Sequence, residues 1–380
     1  MSKKIGVIGS GFIAEGLAKL LHDNPKYTLT KVLTRTKIDD RVEYFMPEYL
    51  TNELEELIES SDLIVESSGD TIYAADTINR IFEAGIPVVT MNAEFQATVG
   101  SYFVDKGLLT EAEGDQPGVL AMLHEEVTTM GFKPLVYGNI KGFLNHTPTL
   151  EDMKYWGNRS GISLDMVTSF TDGTKVQMEQ TLVANGLGAT IAQDDLLGPA
   201  YDDTLTGGIE LAKTAKEIGE PISDYLISPK LKPGVFIAAE INDNQHAALR
   251  YYKMGEGPYY VLERPYHLCH FEILRTIDRV LNGGGVLLNN SANPTISTTT
   301  IAKRDLKAGE SIKKGIGSFD VRGIAVKIKE HPNHVPIGLM ANAVLKRDVP
   351  AGAELTFDDI EIPETLALKA WREIEKRALS

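Results

Sequence analysis

Only one cysteine, Cys269, stands among 380 residues, so no intramolecular disulfide can staple the fold, and stability has to come from packing. No stretch reaches the ~18 uninterrupted apolar residues of a membrane-spanning helix. The opening MSKKIGVIGS has neither the apolar core nor the small-residue cleavage site of a secretory signal. A cytoplasmic location without a membrane partner is therefore expected. Basic residues are also short: 38 Lys and Arg face 53 Asp and Glu, a net charge of −15. A field of that sign repels a polyphosphate backbone within a Debye length, so a nucleic-acid partner is not expected. An anionic cofactor would need a local remedy, such as the free amides of a helix N-terminus. Zinc signatures are missing too, since neither His267-Leu268-Cys269-His270 nor His331-Pro332-Asn333-His334 has the paired spacing of such a site. Both histidine pairs and the cysteine are read as structural.

What is present is an ordinary globular balance, 43% hydrophobic and 24% charged, in a chain more than twice the ~150 residues of a typical domain. From Lys4 to about Asn92, short β-branched runs (Ile5–Ile8, Leu29–Leu33, Leu63–Glu66, Val88–Met91) alternate with helical periods (Ile13–His22, Leu54–Ser60, Ala74–Glu83). That alternation predicts an α/β fold with a doubly wound parallel sheet. The stretch near 107–111 extends the sheet. The middle section predicts an α+β catalytic domain whose topology is not readable from the pattern. In the tail, Lys303-Arg304-Asp305-Leu306-Lys307-Ala308-Gly309-Glu310 returns as Lys346-Arg347-Asp348-Val349-Pro350-Ala351-Gly352-Ala353. An internal repeat of this kind predicts a small all-β module with two similar halves. The expected domains are 1–130, 131–294 and 295–365, with residues 366–380 as a closing helix or tail.

Gly9-Ser10-Gly11-Phe12-Ile13-Ala14 fits G-x-G-x-x-A after a strand and at the opening of a helix. Gly9 serves the tight turn, Gly11 lets backbone approach a pyrophosphate, and Ala14 lets helix pack on strand. Gly9, Gly11, Phe12 and Ile13 are thus candidate cofactor contacts. A dinucleotide loop normally reads NAD with a carboxylate at the end of the second strand. Here that strand ends Leu33-Thr34-Arg35-Thr36-Lys37, and a guanidinium flanked by hydroxyls suits a 2′-phosphate. Thr34, Arg35 and Thr36 therefore point to NADP ahead of NAD, unless Arg35 and Lys37 are only solvated charges.

Open α/β sheets bind ligands at the carboxyl ends of their strands, which singles out Ser68 and Gly69 after one strand and Asn92 and Glu94 after the next. Asn92 suits the nicotinamide end or a helix cap, and Glu94 suits the substrate. Asp115, before the next helix, is an N-cap or a substrate ligand. Lys141 and His146 follow at the end of another strand. Thr171-Asp172-Gly173-Thr174-Lys175 is read as ending a strand-like run, Met166–Phe170, and opening a helix to about Ala189. Lys175 and Glu179 on it are either an i,i+4 ion pair or part of the chemistry. In the second reading Lys175 is a cation beside a reacting oxygen and Asp172 holds a substrate hydroxyl.

Together the glycine loop, Asp62-Leu63-Ile64-Val65-Glu66-Ser67-Ser68-Gly69 and Val88-Val89-Thr90-Met91-Asn92 resemble the cofactor domain of homoserine dehydrogenases. Tyr137 to Asn145 is similar in place to that family's Gly-Ile-Leu-Asn-Gly segment. Three features depart from it: Asn92 is followed by Ala93 and Glu94 instead of Lys, Gly114-Asp115-Gln116-Pro117 replaces a glycine-rich turn, and the tail is repeated. With Gly257 to Tyr260 and Arg264 to His270, these resemble the oxidoreductases that end in a SAF (antifreeze-like) domain, which include bacterial deoxyxylulose-phosphate reductoisomerase-like proteins. The likeness covers almost the whole chain, and Asp348 to Ile360 is similar to the SAF signature. It implies an NADP-dependent oxidoreductase of a small hydroxy-carbonyl, sugar- or polyol-derived substrate, assembled as a homodimer or homotetramer. With the glycine loop and the Asp172/Lys175 helix, Asp115, Lys141, Asp172 and Lys175 are expected to surround the substrate, with Glu94 facing it. Deoxyxylulose-phosphate reductoisomerases use a divalent metal, but no carboxylate cluster here dictates one. The alternatives are a homoserine dehydrogenase and a nucleotide-binding sensor without turnover.

Overall fold

The computed structural model describes residues 2–41 and 43–380. Its first layer is a parallel sheet of β1 (Lys3–Ile8), β2 (Tyr27–Leu33), β3 (Leu50–Thr51), β4 (Leu63–Glu66), β5 (Val88–Thr90) and β6 (Leu109–Glu111), in the order β3-β2-β1-β4-β5-β6. The central strands β1, β4 and β5 are buried apolar runs over Ile5–Ile8, Leu63–Val65 and Val88–Val89 because helices cover both faces. The connecting helices are α1 (Phe12–Asp23), α2 (Leu54–Ser60), α3 (Thr71–Glu83) and α4 (Ala93–Val99). On α1 the buried residues are Ala14, Leu17, Ala18 and Leu21, one stripe at helical spacing. The strand order reverses between β1 and β4, which opens a crevice at their carboxyl ends.

The middle of the chain runs α5 (Gln116–Thr129), β7 (Lys133–Lys141), α6 (Leu150–Ser160), α7 (Leu164–Thr171), α8 (Thr174–Leu187), α9 (Thr204–Ile218), β8 (Ile222–Ile227), β9 (Val235–Glu240), α10 (His246–Tyr251), β10 (Tyr259–Arg264) and α11 (Ile273–Leu281). Its sheet has the order β10-β9-β7-β8, with β7 and β8 parallel and β9 antiparallel to β7 and β10. The expected strand at Met166–Phe170 is instead part of α7. Ser163 accepts the Met166 amide proton as its N-cap, and that local bond opens a helix where the composition suggested extended chain. α8 lies at the centre of the molecule. Every residue from Thr174 to Asn185 on it is buried, against α4, α5, β7, β8 and the tail.

The tail comprises β11 (Ile296–Ala302), β12 (Ser311–Lys314), β13 (Val321–Lys327), β14 (Ala341–Leu345), β15 (Ile360–Glu361) and α12 (Leu366–Leu379). Here β11 pairs with β13, and β12-β14-β15 form a second sheet. The repeated octapeptides cross at a local two-fold. Leu306 and Val349 exchange backbone bonds of 2.8 and 3.0 Å. Asp305 Oδ1 accepts from Ala351 N, and Asp348 Oδ1 accepts from Ala308 N, each at 2.9 Å. The repeated Asp and Ala-Gly are thus the two halves of one reciprocal joint.

Chain boundaries and packing boundaries differ. Leu306, Ile312, Val349 and Leu355 of the tail share one apolar core with Ile8, Ile78, Phe95 and Val99 of the first layer. Ile273, Ile277 and Val280 of α11 join the core of β1, β2 and α1 instead of the middle sheet. Trp371 of α12 is fully buried edge-on to His334, with ring centroids 5.0 Å apart, while α12 itself lies on α3 and α4. Truncating such a ring leaves a cavity worth about 3–5 kcal/mol. Trp371→Ala is therefore expected to lower the stability measured by urea denaturation by about that amount; a loss under about 1 kcal/mol would show that the tail helix is not integral to the core.

Candidate active site

At the carboxyl end of β1, Gly9 has φ +107, and a Cβ there would come within 2.9 Å of the Ser67 carbonyl. Both facts require glycine. Gly11 opens α1 as its N-cap without a side-chain cap bond, and a Cβ there would have nothing within 4 Å. The first amides of α1 therefore face open space with no internal acceptor, which is what an anionic diphosphate needs. Phe12 is exposed beside them, edge-on to His270 at 5.7 Å, and Ile13 is half-buried. This loop fits a nicotinamide dinucleotide.

Around it, some expected contacts are engaged with the protein itself. Thr34 is buried, with its hydroxyl 2.8 Å from that of Ser10, and it accepts from Thr36 N. Arg35 is half-exposed, donates to Asp70 Oδ2 at 2.6 Å and lies 4.7 Å over the Tyr73 ring. Ser68 N donates to Glu66 Oε1 at 2.7 Å, while Gly69 has φ +65 and open space around it. Asn92 is fully buried and caps α4 by accepting from Phe95 N at 3.0 Å.

Across the crevice, Lys175 reaches out of α8 to Glu94 Oε1 at 3.0 Å and Asp115 Oδ2 at 3.6 Å. Asp115 is also the N-cap of α5, its other oxygen accepting from Gln116 N at 3.1 Å, which is the cap of the two expected readings. Lys175 and Glu179 do not bond each other along the helix. Glu179 Oε2 instead accepts from Lys141 Nζ at 3.0 Å and Asn139 Nδ2 at 2.9 Å. Gln116 closes the ring, donating to Asn139 Oδ1 at 2.7 Å and accepting from Lys141 Nζ at 2.6 Å.

The charges follow from this packing. Burial alone would lower the Lys175 pKa, but Glu94, Asp115 and Glu179 outweigh it and hold the ammonium well above its usual value. Burial would raise Asp115, yet Lys175 and His267 bring it below the ordinary carboxylate range. Burial raises Glu179 despite Lys141. Glu111, at the end of β6, is fully buried with neither carboxyl oxygen hydrogen-bonded. Burial, then the charge of Asp115, pushes its pKa well up. Among the described residues, no three His, Cys, Asp or Glu side chains are grouped to hold a metal ion.

The 264–275 segment closes over the start of α5. Glu113 lies between Arg264 at 2.7 Å and Arg275 at 2.6 Å, and Arg264 also pairs with Glu272. His267 Nδ1 is 3.2 Å from the Gly114 carbonyl, and Gly114, at φ +119, would put a Cβ 2.1 Å from the Cys269 carbonyl. Burial pushes the Cys269 thiol up to about 12, so it carries almost no thiolate at neutral pH. His331 lies between Asp194 and Glu354, and His334 between Ser297 and the His331 carbonyl.

The structure thus brings Glu94, Asp115, Lys141 and Lys175 together and leaves Asp172 out. Asp172 is fully buried, accepting from Thr174 N at 2.8 Å and pairing with Lys303 of the tail at 2.5 Å. Its carboxylate bonds two partners on the far side of the α8 start, which is why it does not reach the cluster. His146 also lies apart from it. Sequence reading had no role for Gln116, Asn139 or Glu111. The first two sit inside motifs already singled out, whereas Glu111 lay in an unremarkable strand.

Residues 114–273 match the family model for the catalytic domain of oxidoreductase DRL. Residues 9–103 match that for the NAD-binding domain of homoserine dehydrogenase. This chain is an NAD(P)-dependent oxidoreductase. A comparison with curated proteins finds no match. Among solved structures, it is similar to a myo-inositol dehydrogenase from Corynebacterium glutamicum, at 12% identity and a TM-score of 0.44 over 75% of this chain and 90% of that one. A UDP-N-acetylglucosamine 3-dehydrogenase from Acidithiobacillus ferrooxidans is similar at 11% identity and a TM-score of 0.43, over 76% and 92%. The family models cover β2 to β5 of the nucleotide sheet and the middle domain as far as residue 273; the tail lies outside both matched ranges.

Glu111 yields a pH prediction. Its folded pKa lies above the unfolded one, so its stability contribution is full below the ordinary glutamate range and is lost as pH rises towards the folded value. Glu111→Gln keeps the neutral shape without that loss. Thermal denaturation is expected to show the variant more stable than the native protein at neutral pH, with the gap closing towards pH ~4. A gap independent of pH would mean that Glu111 ionises normally.

Proposed function

We propose that this protein is an NADP(H)-dependent oxidoreductase that transfers hydride at the CH–OH or carbonyl carbon of a small polyhydroxylated substrate. The observation that carries the reading is Lys175, a buried, protonated amine held by Glu94 and Asp115 across the crevice from a dinucleotide loop. When bound, the nicotinamide supplies or accepts the hydride. In the reducing direction, negative charge develops on the substrate oxygen, and the Lys175 ammonium stabilises and protonates it. Glu94 and Asp115 fix the direction of its N–H bonds. The oxidising direction is the reverse of this: once Lys175 has released its proton to solvent, its neutral amine accepts the hydroxyl proton as hydride leaves the carbon. Lys141, locked by Glu179 and Gln116, supplies a second positive donor to substrate hydroxyls. Asp172 has no part in this reading, and no rearrangement of the carbon skeleton is included.

NADP is favoured over NAD because Thr34, Arg35, Thr36 and Lys37 replace the carboxylate that reads an unphosphorylated ribose. A 2′-phosphate would take over the Arg35 guanidinium from Asp70, whose other oxygen keeps its cap bonds to Ile72 N and Tyr73 N at 3.1 Å. Arg35→Ala should weaken NADPH binding roughly tenfold or more while changing NADH less than about twofold. Equal losses in fluorescence titrations with the two nucleotides would exclude the 2′-phosphate role.

The acid–base role predicts a separate result. In a screen of polyols and sugar acids, Lys175→Met should lose about 10²–10⁴ in kcat with the active substrate, with NADPH affinity within about threefold of native. Retained turnover, or no turnover of any substrate by the native enzyme, counts against the reading.

A further inference from the structure

A second cavity lies on the other side of the α8 start, where the middle sheet meets the tail. It has a volume of about 500 Å³ and is lined by Leu144, Asn145, His146, Asp195, Tyr225 and Ile227, with the 196–198 backbone at its rim. That size falls within the ~300–1,000 Å³ of small-molecule sites. Gly173, the N-cap of α8, lies beside the cavity-lining His146, whose ring is 3.7 Å from where its Cβ would be, while Lys175 on the helix faces Glu94 and Asp115.

We propose that this cavity is a second binding site, for a neutral polyhydroxylated small molecule, distinct from the Lys175 crevice. Of its four polar side chains, Asn145 is engaged with its own turn, accepting from Thr147 N at 3.1 Å, and the other three converge on the cavity. The Asp195 carboxylate accepts from Arg322 in a two-pronged pair at 2.9 and 2.6 Å and from Gln177 at 3.0 Å, which fixes its plane and cancels its charge. The His146 ring and the Tyr225 hydroxyl have no hydrogen-bond partner among the described residues, so both are free for a ligand. Lys303, the other cation nearby, is already neutralised by Asp172. Burial, reinforced by Arg322, lowers the His146 pKa and keeps the ring neutral. The lining is therefore nearly balanced in charge, rich in donors and acceptors, and faced by Leu144, Leu197 and Ile227, which suit the C–H surface of a carbohydrate.

The backbone supports the same assignment. Asp195 and Leu196 are both left-handed, at φ 64 and 60, which costs ~1–2 kcal/mol for each non-glycine residue. The strain is held in place from outside the loop. Asp224 accepts from Leu197 N at 3.0 Å and Gly198 N at 2.9 Å, and Asp195 N donates to the Ala325 carbonyl at 3.0 Å. Strain imposed in this way is characteristic of ligand clamps, and here it turns the Asp195 side chain to the cavity wall. A ligand in this place would touch the loop after β7, the strand β8 and the loop that the tail holds through Arg322.

The test uses the full-length Lys175→Met protein, in which turnover at the first site is removed, with sorbitol and gluconate as a pair differing in charge. Ligand-observed NMR is expected to show sorbitol binding at millimolar affinity and gluconate at least tenfold weaker. His146→Ala and Tyr225→Phe, each added separately to that background and checked for folding by circular dichroism, should each weaken sorbitol at least tenfold. No sorbitol binding, or unchanged affinity in both folded variants, would overturn the site. Gluconate binding as tightly as sorbitol would overturn the neutral class. Failure of NADPH to bind would refute the proposed activity and leave this result untouched, so the two readings fail separately.

Discussion

A buried ammonium, that of Lys175, sets the terms on which the two main layers meet. Taking it out of water costs several kcal/mol unless carboxylates stand close by, and the ones that do come from different places. Glu94 begins the helix after β5, Asp115 caps the helix after β6, and Glu179 lies one turn further along α8. Satisfying one charge therefore fixes the distance between the nucleotide sheet and the middle domain. The same arrangement delivers a protonated donor to the carboxyl edge of the sheet, so docking and chemistry share a single constraint.

The second constraint is that α8 has no solvent face. Its Lys175 side meets the crevice, while Thr174 and Gln177 accept the Gly323 and Ala325 amide protons of β13 at 3.0 and 2.8 Å. The tail thus completes the hydrogen bonding of the helix that carries the candidate chemistry. Asp172 belongs to this junction: its pairing with Lys303 ties the first turn of α8 to the tail. A residue expected to touch substrate turns out to hold the scaffold.

Much of the nucleotide layer was legible in the chain, because β1, β4 and β5 hold short apolar runs and α1 and α3 each carry an apolar stripe. The glycine loop was equally legible, since its requirements at Gly9 are local. The α7 segment misled because its composition favours extended chain, while one capping bond from Ser163 decides for helix. In the site, Lys175, Asp115, Glu94 and Lys141 could be singled out from their positions at element ends. Their pairing could not, because Lys175 and Glu179 sit at the helical spacing of an ion pair while each has a better-placed partner more than twenty residues away. Glu111 left no signal at all, because a glutamate in a strand is unusual only once its burial is known.

The tail shows the same division. Its repeat announced two similar halves, yet the reason for the repeated Asp and Ala-Gly, a reciprocal pair of side-chain caps across a local two-fold, emerged only when the halves were seen to cross. By itself the sequence determined which segments become strands and helices, where the dinucleotide loop lies, and that its second strand lacks the carboxylate of an NAD reader. These depend on neighbours within a few residues, through side-chain period, capping and backbone freedom. Tertiary structure alone decided which carboxylates surround Lys175, that Asp172 serves the tail, and that a cavity opens beside His146, because desolvation and pairing depend on residues brought together from distant parts of the chain.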